Sequence, residues 1–198
     1  MATQSKTQNM LFAKAMLFNK DSILSALLAL VVVLILVRIT PVSVDPVVKL
    51  VISKNRTSIT NIYQARDIES SREVMVDRLE LLEKSRFRHP KLGNIATYSE
   101  DFFVDVNHNI TVKQADTYRF LMGSDDGFSL RIDGKLICEH LGDRPYSVQV
   151  CMVHLSEGQH QVSMSYFQGF GNSGFTAQYA RGDEKPRWFG EDSRSVKF

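Results

Sequence analysis

The sequence predicts an all-β protein, an antiparallel β-sandwich with an N-terminal transmembrane helix and a short connecting helix. Three observations lead there. An uncharged apolar run, Ser22 to Val37, lies near the N-terminus. From Tyr98 onward, short apolar segments alternate with Gly, Asn and Asp turn signals. About seven such strands at this spacing suggest a sandwich with hairpin connections. The 198 residues are 43% hydrophobic and 23% charged, with a net charge of +2. That composition excludes a disordered, collagen-like or disulfide-dense chain. It also argues against a nucleic-acid partner, which calls for a concentrated basic face.

Residues 1–21 read as a short polar tail and residues 22–38 as a transmembrane signal-anchor helix. The sixteen residues SILSALLALVVVLILV are bounded by Lys20 and Asp21 before and Arg38 after. At about 1.5 Å per residue the run alone falls short of a hydrocarbon core. Lys20 and Arg38 can snorkel to the interfaces, and Ile39, Thr40, Val42 and Val44 extend the span. A cleaved signal peptide would show a small-residue pattern after the run, and RITPVSV lacks one. A core helix would carry polar residues at a 3.6 period, where this run has only Ser22 and Ser25. Lys6, Lys14 and Lys20 before the helix balance Arg38, Lys49 and Lys54 after it, so the charge rule does not orient it. The expected arrangement is a single-pass protein whose C-terminal domain is extracytoplasmic, in a bacterial inner membrane facing the periplasm.

Residues 39–86 read as a linker with a strand and a helix. Pro41 and Pro46 disfavour helix before the β-branched run from Val47 to Ile52. That strand either joins the domain's own sheet or adds to a partner's sheet edge. Over residues 64–86, Ile68, Met75, Leu79 and Leu82 fall at seven-, four- and three-residue steps, and Glu80 with Lys84 forms an i,i+4 pair. The pattern suits a helix packed on its own domain or a short oligomer stalk, leaving homo-oligomerisation open.

Residues 87–182 carry the strands: Phe102–Val106, Thr117–Gly123, Phe128–Ile132, Lys135–His140, Val148–Leu155, Gln161–Phe167 and Gly174–Tyr179. Turn signals between them include Asn107-His108-Asn109, Ser124 to Gly127, Gly142-Asp143 and Gly169 to Ser173. Asp133-Gly134 marks a two-residue hairpin, since Gly tolerates the positive φ of a type I′ turn. Residues 183–198 form a polar tail apart from Trp188, Phe189 and Phe198, aromatic residues that can dock on a partner or back on the domain.

The run from Tyr118 to Phe120, then Ser124-Asp125-Asp126-Gly127, then Leu130 to Lys135, resembles the protective-antigen (PA-14) domain family. Leu155 to Val162, leading to Tyr166-Phe167, matches that family's closing hairpin in order and spacing. The resemblance covers about residues 95 to 180. It implies a β-sandwich of the kind found in toxins, yeast flocculins and adhesins, and as an accessory module of glycosidases. In the flocculin and adhesin members, the adjacent carboxylates bind calcium, which in turn holds a sugar's hydroxyls.

Asp125 and Asp126 are therefore candidate calcium ligands, since adjacent carboxylates supply hard oxygen donors. Asn172 in the later glycine-rich loop is a candidate ligand-binding residue. The same aspartates serve equally as turn caps that accept backbone N–H bonds beside the bend at Gly127. Cys138 and Cys151 flank a loop on strands able to pair; a disulfide there would add on the order of 3 kcal/mol, although strand alternation leaves their relative faces open. The five histidines show no metal-ligand spacing, and no nucleophile elbow or phosphate loop is present, so a non-enzyme is expected. Asn55 and Asn109 head N-glycosylation patterns, and Arg181-Gly182-Asp183 opens the charged tail.

The leading expectation is a membrane-anchored extracytoplasmic binding or assembly module, a structural component of a bacterial envelope complex such as a flagellar motor or secretion machine. Its partners would be the bilayer and other membrane or periplasmic proteins. The alternative is a calcium-dependent carbohydrate-binding receptor or adhesin, with glycans as partners.

Overall fold

A computed structural model describes residues 20–39 and 43–198 of the chain. Two units divide it, residues 1–42 and residues 43–198. Most of the polar tail expected over 1–21, with Thr40 and Val42 of the extended span, lies outside the described residues.

In the first unit, α1 (Lys20–Ile39) is a 20-residue helix with Asp21 in its first turn and Arg38 in its last, both placed to favour the helix dipole. Its side chains from Ile23 to Val37 are exposed around the whole circumference. A helix this long and apolar on every face suits a lipid surrounding. A signal sequence shares these properties.

The second unit is built from two antiparallel sheets. The strands are β1 (Val48–Asn55), β2 (Ile68–Val76), β3 (Glu80–Leu81), β4 (Phe102–Val112), β5 (Asp116–Asp125) and β6 (Phe128–Ile132), followed by β7 (Lys135–His140), β8 (Ser147–Leu155), β9 (Gly158–Gln168), β10 (Gly174–Arg181), β11 (Arg187–Trp188) and β12 (Val196–Lys197). One sheet runs β2-β1-β4-β9-β6-β7, with β12 on β4; the other runs β11-β10-β5-β8, with β3 on β10. Leu50, Ile52, Val104, Val106 and Tyr166 from the first sheet meet Tyr118, Phe120, Met122, Phe175 and Tyr179 from the second in one core. The architecture is an all-β sandwich with an N-terminal apolar helix.

The connecting helix expected within 64–86 is replaced by strands. β2 forms a hairpin with β1 from Val48↔Val76 to Asn55↔Ile68. β1 turns Val48, Leu50 and Ile52 into the core, so its outer backbone edge needs a ladder partner. Val74 and Val76 supply β-branched residues that suit a strand. Of the residues that define the helical seam, Ile68 and Met75 are poorly buried, at 37% and 40% exposure, and only Leu79, beyond β2, is fully buried. Tertiary pairing thus overrides a local period that only mimicked amphipathicity.

Two further expectations are corrected. The turn read at Asn107-His108-Asn109 lies inside β4, which pairs with β9 without a break from Phe102↔Gln168 to Val112↔Gly158. Asn107 and Asn109 face outward there, so their turn preference is satisfied on the solvent side of a long ladder. The polar tail is folded: β11 pairs with β10 and β12 with β4. Asn55 is fully buried. Its amide bonds Thr57 and its carbonyl accepts the Asp67 N–H, a structural use that leaves no room for a glycan.

The Asp133-Gly134 turn has φ of 51° and 77°, the paired positive values of a type I′ hairpin. Asp133 then accepts the Gln161 N–H at 2.9 Å and bonds His160 at 2.7 Å. Between β1 and β2, the segment around Ile59 and Ile62 folds over the outer face of the larger sheet, where it covers Phe103 and Phe167.

Candidate functional site

Three connections meet at one end of the sandwich: residues 126–127 between β5 and β6, with Ser124 and Asp125 at the end of β5, 141–146 between β7 and β8, and 169–173 between β9 and β10. They are tied by bonds to the adjacent aspartates. Asp126 adopts φ 69°, the left-handed conformation that Asp tolerates better than most residues. Its Oδ2 accepts the Gly169 N–H at 2.8 Å, and its own N–H donates to the Arg144 carbonyl at 3.0 Å. Asp125 Oδ2 accepts the Tyr146 N–H at 3.1 Å. Tyr146 packs over Gly123, where a Cβ would meet its hydroxyl at 2.1 Å. That hydroxyl bonds Thr176 Oγ1 at 2.7 Å. Arg144 donates to Ser124 Oγ at 2.7 Å.

These contacts border a shallow, solvent-open cavity of about 360 Å³ lined by Asp125, Asp126, Asp143, Arg144, Pro145, Phe170 and Asn172. The candidates Asp125, Asp126 and Asn172 therefore share one cavity. Each of the two aspartates commits one oxygen to a backbone donor, the capping use, and keeps the other without a hydrogen-bond partner among the described residues. Phe170 stands 84% exposed at the rim. Gln168 donates to the Asn172 carbonyl at 2.7 Å, so that loop is held while the Asn172 side chain stays available.

Asp143, Arg144 and Phe170 were missed from sequence. Gly142-Asp143 read only as a turn, and the glycines around Phe170 drew attention to Asn172 alone. The signal the sequence carries for Phe170 is a large aromatic residue between two glycines in a turn segment.

Burial pushes the Asp126 carboxyl up to about 6; the Gly169 N–H opposes this, while Asp143 and Asp125 add to it. Burial also raises Asp125, against the Tyr146 N–H and the Arg144 charge. Between about pH 4 and 6 the folded state thus holds a proton that the unfolded chain has released, because the ordinary carboxyl value is about 3.9. Stability falls as pH rises through that window and stays at the lower level above it. Asp126→Asn keeps an acceptor for Gly169 and tolerates the backbone conformation. It is expected to gain about 1–2 kcal/mol at pH 7.5, a figure reduced for the water-open cavity, and nothing at pH 4. Thermal unfolding of both chains at the two pH values checks this; equal gains at both would assign the effect to something other than the proton.

No group of three His, Cys, Asp or Glu side chains among the described residues is arranged to hold a metal ion. Calcium takes six to eight oxygens, and the side-chain oxygens facing this cavity are those of Asp125, Asp126, Asp143 and Asn172. The side chains around the cavity are donors, acceptors and an aromatic ring, the equipment of recognition.

Cys138 on β7 and Cys151 on β8 form a disulfide with Cα atoms 5.9 Å apart. It joins the two sheets at the base of the 141–146 loop. Cys151 points into the core while Val148, Val150 and Met152 face outward, so strand alternation is what brings the sulfur atoms together.

No protein-family model and no curated protein matches the sequence. Solved structures do match the fold. The PA14 sugar-binding domain from an RTX adhesin superimposes with a TM-score of 0.59 at 16% identity, over 74% of this chain and 96% of that one. The PA14 domain of an antifreeze protein gives a TM-score of 0.55 at 15% identity, over 76% and 89%. An anti-sigma factor domain-containing protein gives 0.55 at 14% identity over 73% of this chain, which spans 46% of that longer protein. Two packed antiparallel sheets, with β9 between β4 and β6 and the Asp125-Asp126 loop at one end, give residues 43–198 the fold of a PA14 domain.

Proposed function

We propose that this chain is a membrane-tethered, extracytoplasmic binding module that recognises glycans at the loop end of its sandwich. The exposed ring of Phe170 beside the free oxygens of Asp125 and Asp126 carries the reading. An aromatic face packs on the C–H side of a sugar, while carboxylate and amide groups take its hydroxyls. The sugar-binding RTX adhesin domain of the same fold supports it. The apolar α1 supports a single-pass anchor, and the Cys138–Cys151 disulfide supports an oxidising compartment such as a bacterial periplasm.

The test is a glycan array probed with the full-length chain in detergent. At least one glycan is expected to bind, and Phe170→Ala to weaken it by about tenfold or more. Absence of any binding by the wild-type chain would overturn the reading. Adding EDTA separates direct contact, which survives, from calcium bridging at Asp125 and Asp126, which is lost.

A second reading, a non-enzymatic structural part of an envelope complex such as a flagellar motor or secretion machine, is favoured by a different surface. β8 is a sheet edge with Val148, Val150 and Met152 exposed on one face, an apolar stripe suited to a protein partner. Under that reading, purification in mild detergent recovers a companion protein in fixed proportion.

A further inference from the structure

We infer that this chain self-associates through β8, which meets the β8 of a second copy across a two-fold axis. This contact needs nothing of the glycan reading, and of the second reading it takes only the exposed β8 surface. Four strands stand at the ends of the two sheet orders: β2 and β7 in the larger sheet, β11 and β8 in the smaller. A sheet edge is ordinarily blunted by charge, by proline or by shortness, because its unpaired N–H and C=O groups otherwise recruit another strand. β2 carries Glu69, Arg72 and Glu73, β7 carries Lys135 and Glu139, and β11 is two residues long with Arg187. β8 has none of these devices. Its nine residues, SVQVCMVHL, include no Asp, Glu, Lys, Arg or Pro. Its pairing with β5 runs from Asp116↔Leu155 to Ser124↔Ser147 without a bulge, so no local kink turns the open edge away.

Strand alternation divides β8 by face. Cys151 and Leu155 turn into the core, and Cys151 is tied from that side to Cys138 of β7. Val148, Val150 and Met152 turn outward, each more than half exposed. Val150 stands beside Leu121 of β5, which continues the apolar surface inward from the edge. Two valines and a methionine thus stand in water along an unpaired backbone, and no element of the described fold covers them.

The spacing of these residues selects a second copy as the occupant. A two-fold contact brings a surface patch onto itself. With the axis at Val150, antiparallel β8 strands set Val150 opposite Val150 and Val148 opposite Met152, while Gln149 faces Cys151 and Ser147 faces Val153. Each of these outward rungs joins apolar to apolar, and no like charges meet, the penalty that bars a charged strand from pairing with itself. The same operation about the centre of β2 would set Arg72 against Arg72. Discrimination in favour of a different partner relies on charged or polar groups placed to reject the wrong one, and the outward face from Val148 to Met152 offers none. The complement of this edge is a strand equally neutral and equally apolar on one face, which a second β8 supplies.

The test uses two forms of the full-length chain, each with its own affinity tag, co-expressed and purified in mild detergent. Wild-type copies are expected to co-purify. Val150→Lys and Val150→Glu are each expected to weaken that association by about tenfold or more, since each sets like charges across the axis. Combining the Lys form with the Glu form is expected to restore it, because the facing charges are then opposite; a partner of another sequence would not respond in this way. Val150 is exposed, so the melting temperature of each variant is expected to stay within about 3 °C of wild type. A wild-type chain that stays monomeric would overturn the inference, as would association that both single variants leave intact, the behaviour of copies joined elsewhere, such as through α1. Loss in both variants without recovery in the mixture would also overturn it. Recovery of a companion protein in place of a second copy would do the same and would leave β8 to the envelope-complex reading.

Discussion

Phe189→Ala is expected to destabilise the domain by about 3–5 kcal/mol. Phe189 is fully buried in a stretch whose composition suggests a solvated tail. Its N–H donates to the Ala177 carbonyl, and its carbonyl accepts the Leu79 N–H, each at 2.9 Å. Its ring meets Phe198 edge-on with centroids 4.7 Å apart, and Phe198 in turn packs on Tyr179 at 5.6 Å. The next residue, Gly190, has φ 112°, and a Cβ there would meet the Asp77 carbonyl at 2.4 Å. The C-terminal segment thus closes the gap between β3, β10 and β4, with Phe189 as its deepest contact. Truncation leaves a cavity and unseats the segment together. Chemical denaturation of the full-length chain measures the loss; a change below about 1 kcal/mol would show that the segment is a loose appendage.

The same residue shows what limited the sequence reading. The strands from Phe128 to Leu155 were legible because their alternation is local and the Asp133-Gly134 turn dictates its own geometry. Residues 64–86 misled because Ile68, Met75, Leu79 and Leu82 satisfy a helical period that hairpin pairing with β1 then overrides. Asn107-His108-Asn109 misled because turn preference is a weak bias against an eleven-residue ladder. Phe189 and Phe198 were visible as aromatics, but their docking surface is assembled from strands far away in the chain. The cavity shows the same division: Asp125, Asp126 and Asn172 stood out as residue types, whereas Arg144 and Asp143 enter through a loop contact between β7 and β8.

Replacing both cysteines, Cys138→Ser with Cys151→Ser, is expected to cost about 3 kcal/mol, as a link of this span does in the chain-entropy model. The bond spans 13 residues of chain, and its position gives it a second effect. It joins β7 of the larger sheet to β8 of the smaller, and the residues between include Asp143, Arg144 and Tyr146. The other ties on that loop are mainly hydrogen bonds: Tyr146 to Asp125 and Thr176, Arg144 to Ser124, the Arg144 carbonyl from Asp126 and the Leu141 carbonyl from Ile62, with Arg144 also over the Phe128 ring. Without the covalent link, this loop opens before the sheets do, because its backbone is anchored by hydrogen bonds at the water-exposed end of the fold. Glycan affinity at the loop end should therefore fall in the double variant and in wild type treated with a thiol reductant. Denaturation and array binding, each with and without reductant, measure both effects. A lowered unfolding midpoint with unchanged glycan affinity would mean that the disulfide acts only on global stability, and an unchanged midpoint would remove its structural role altogether.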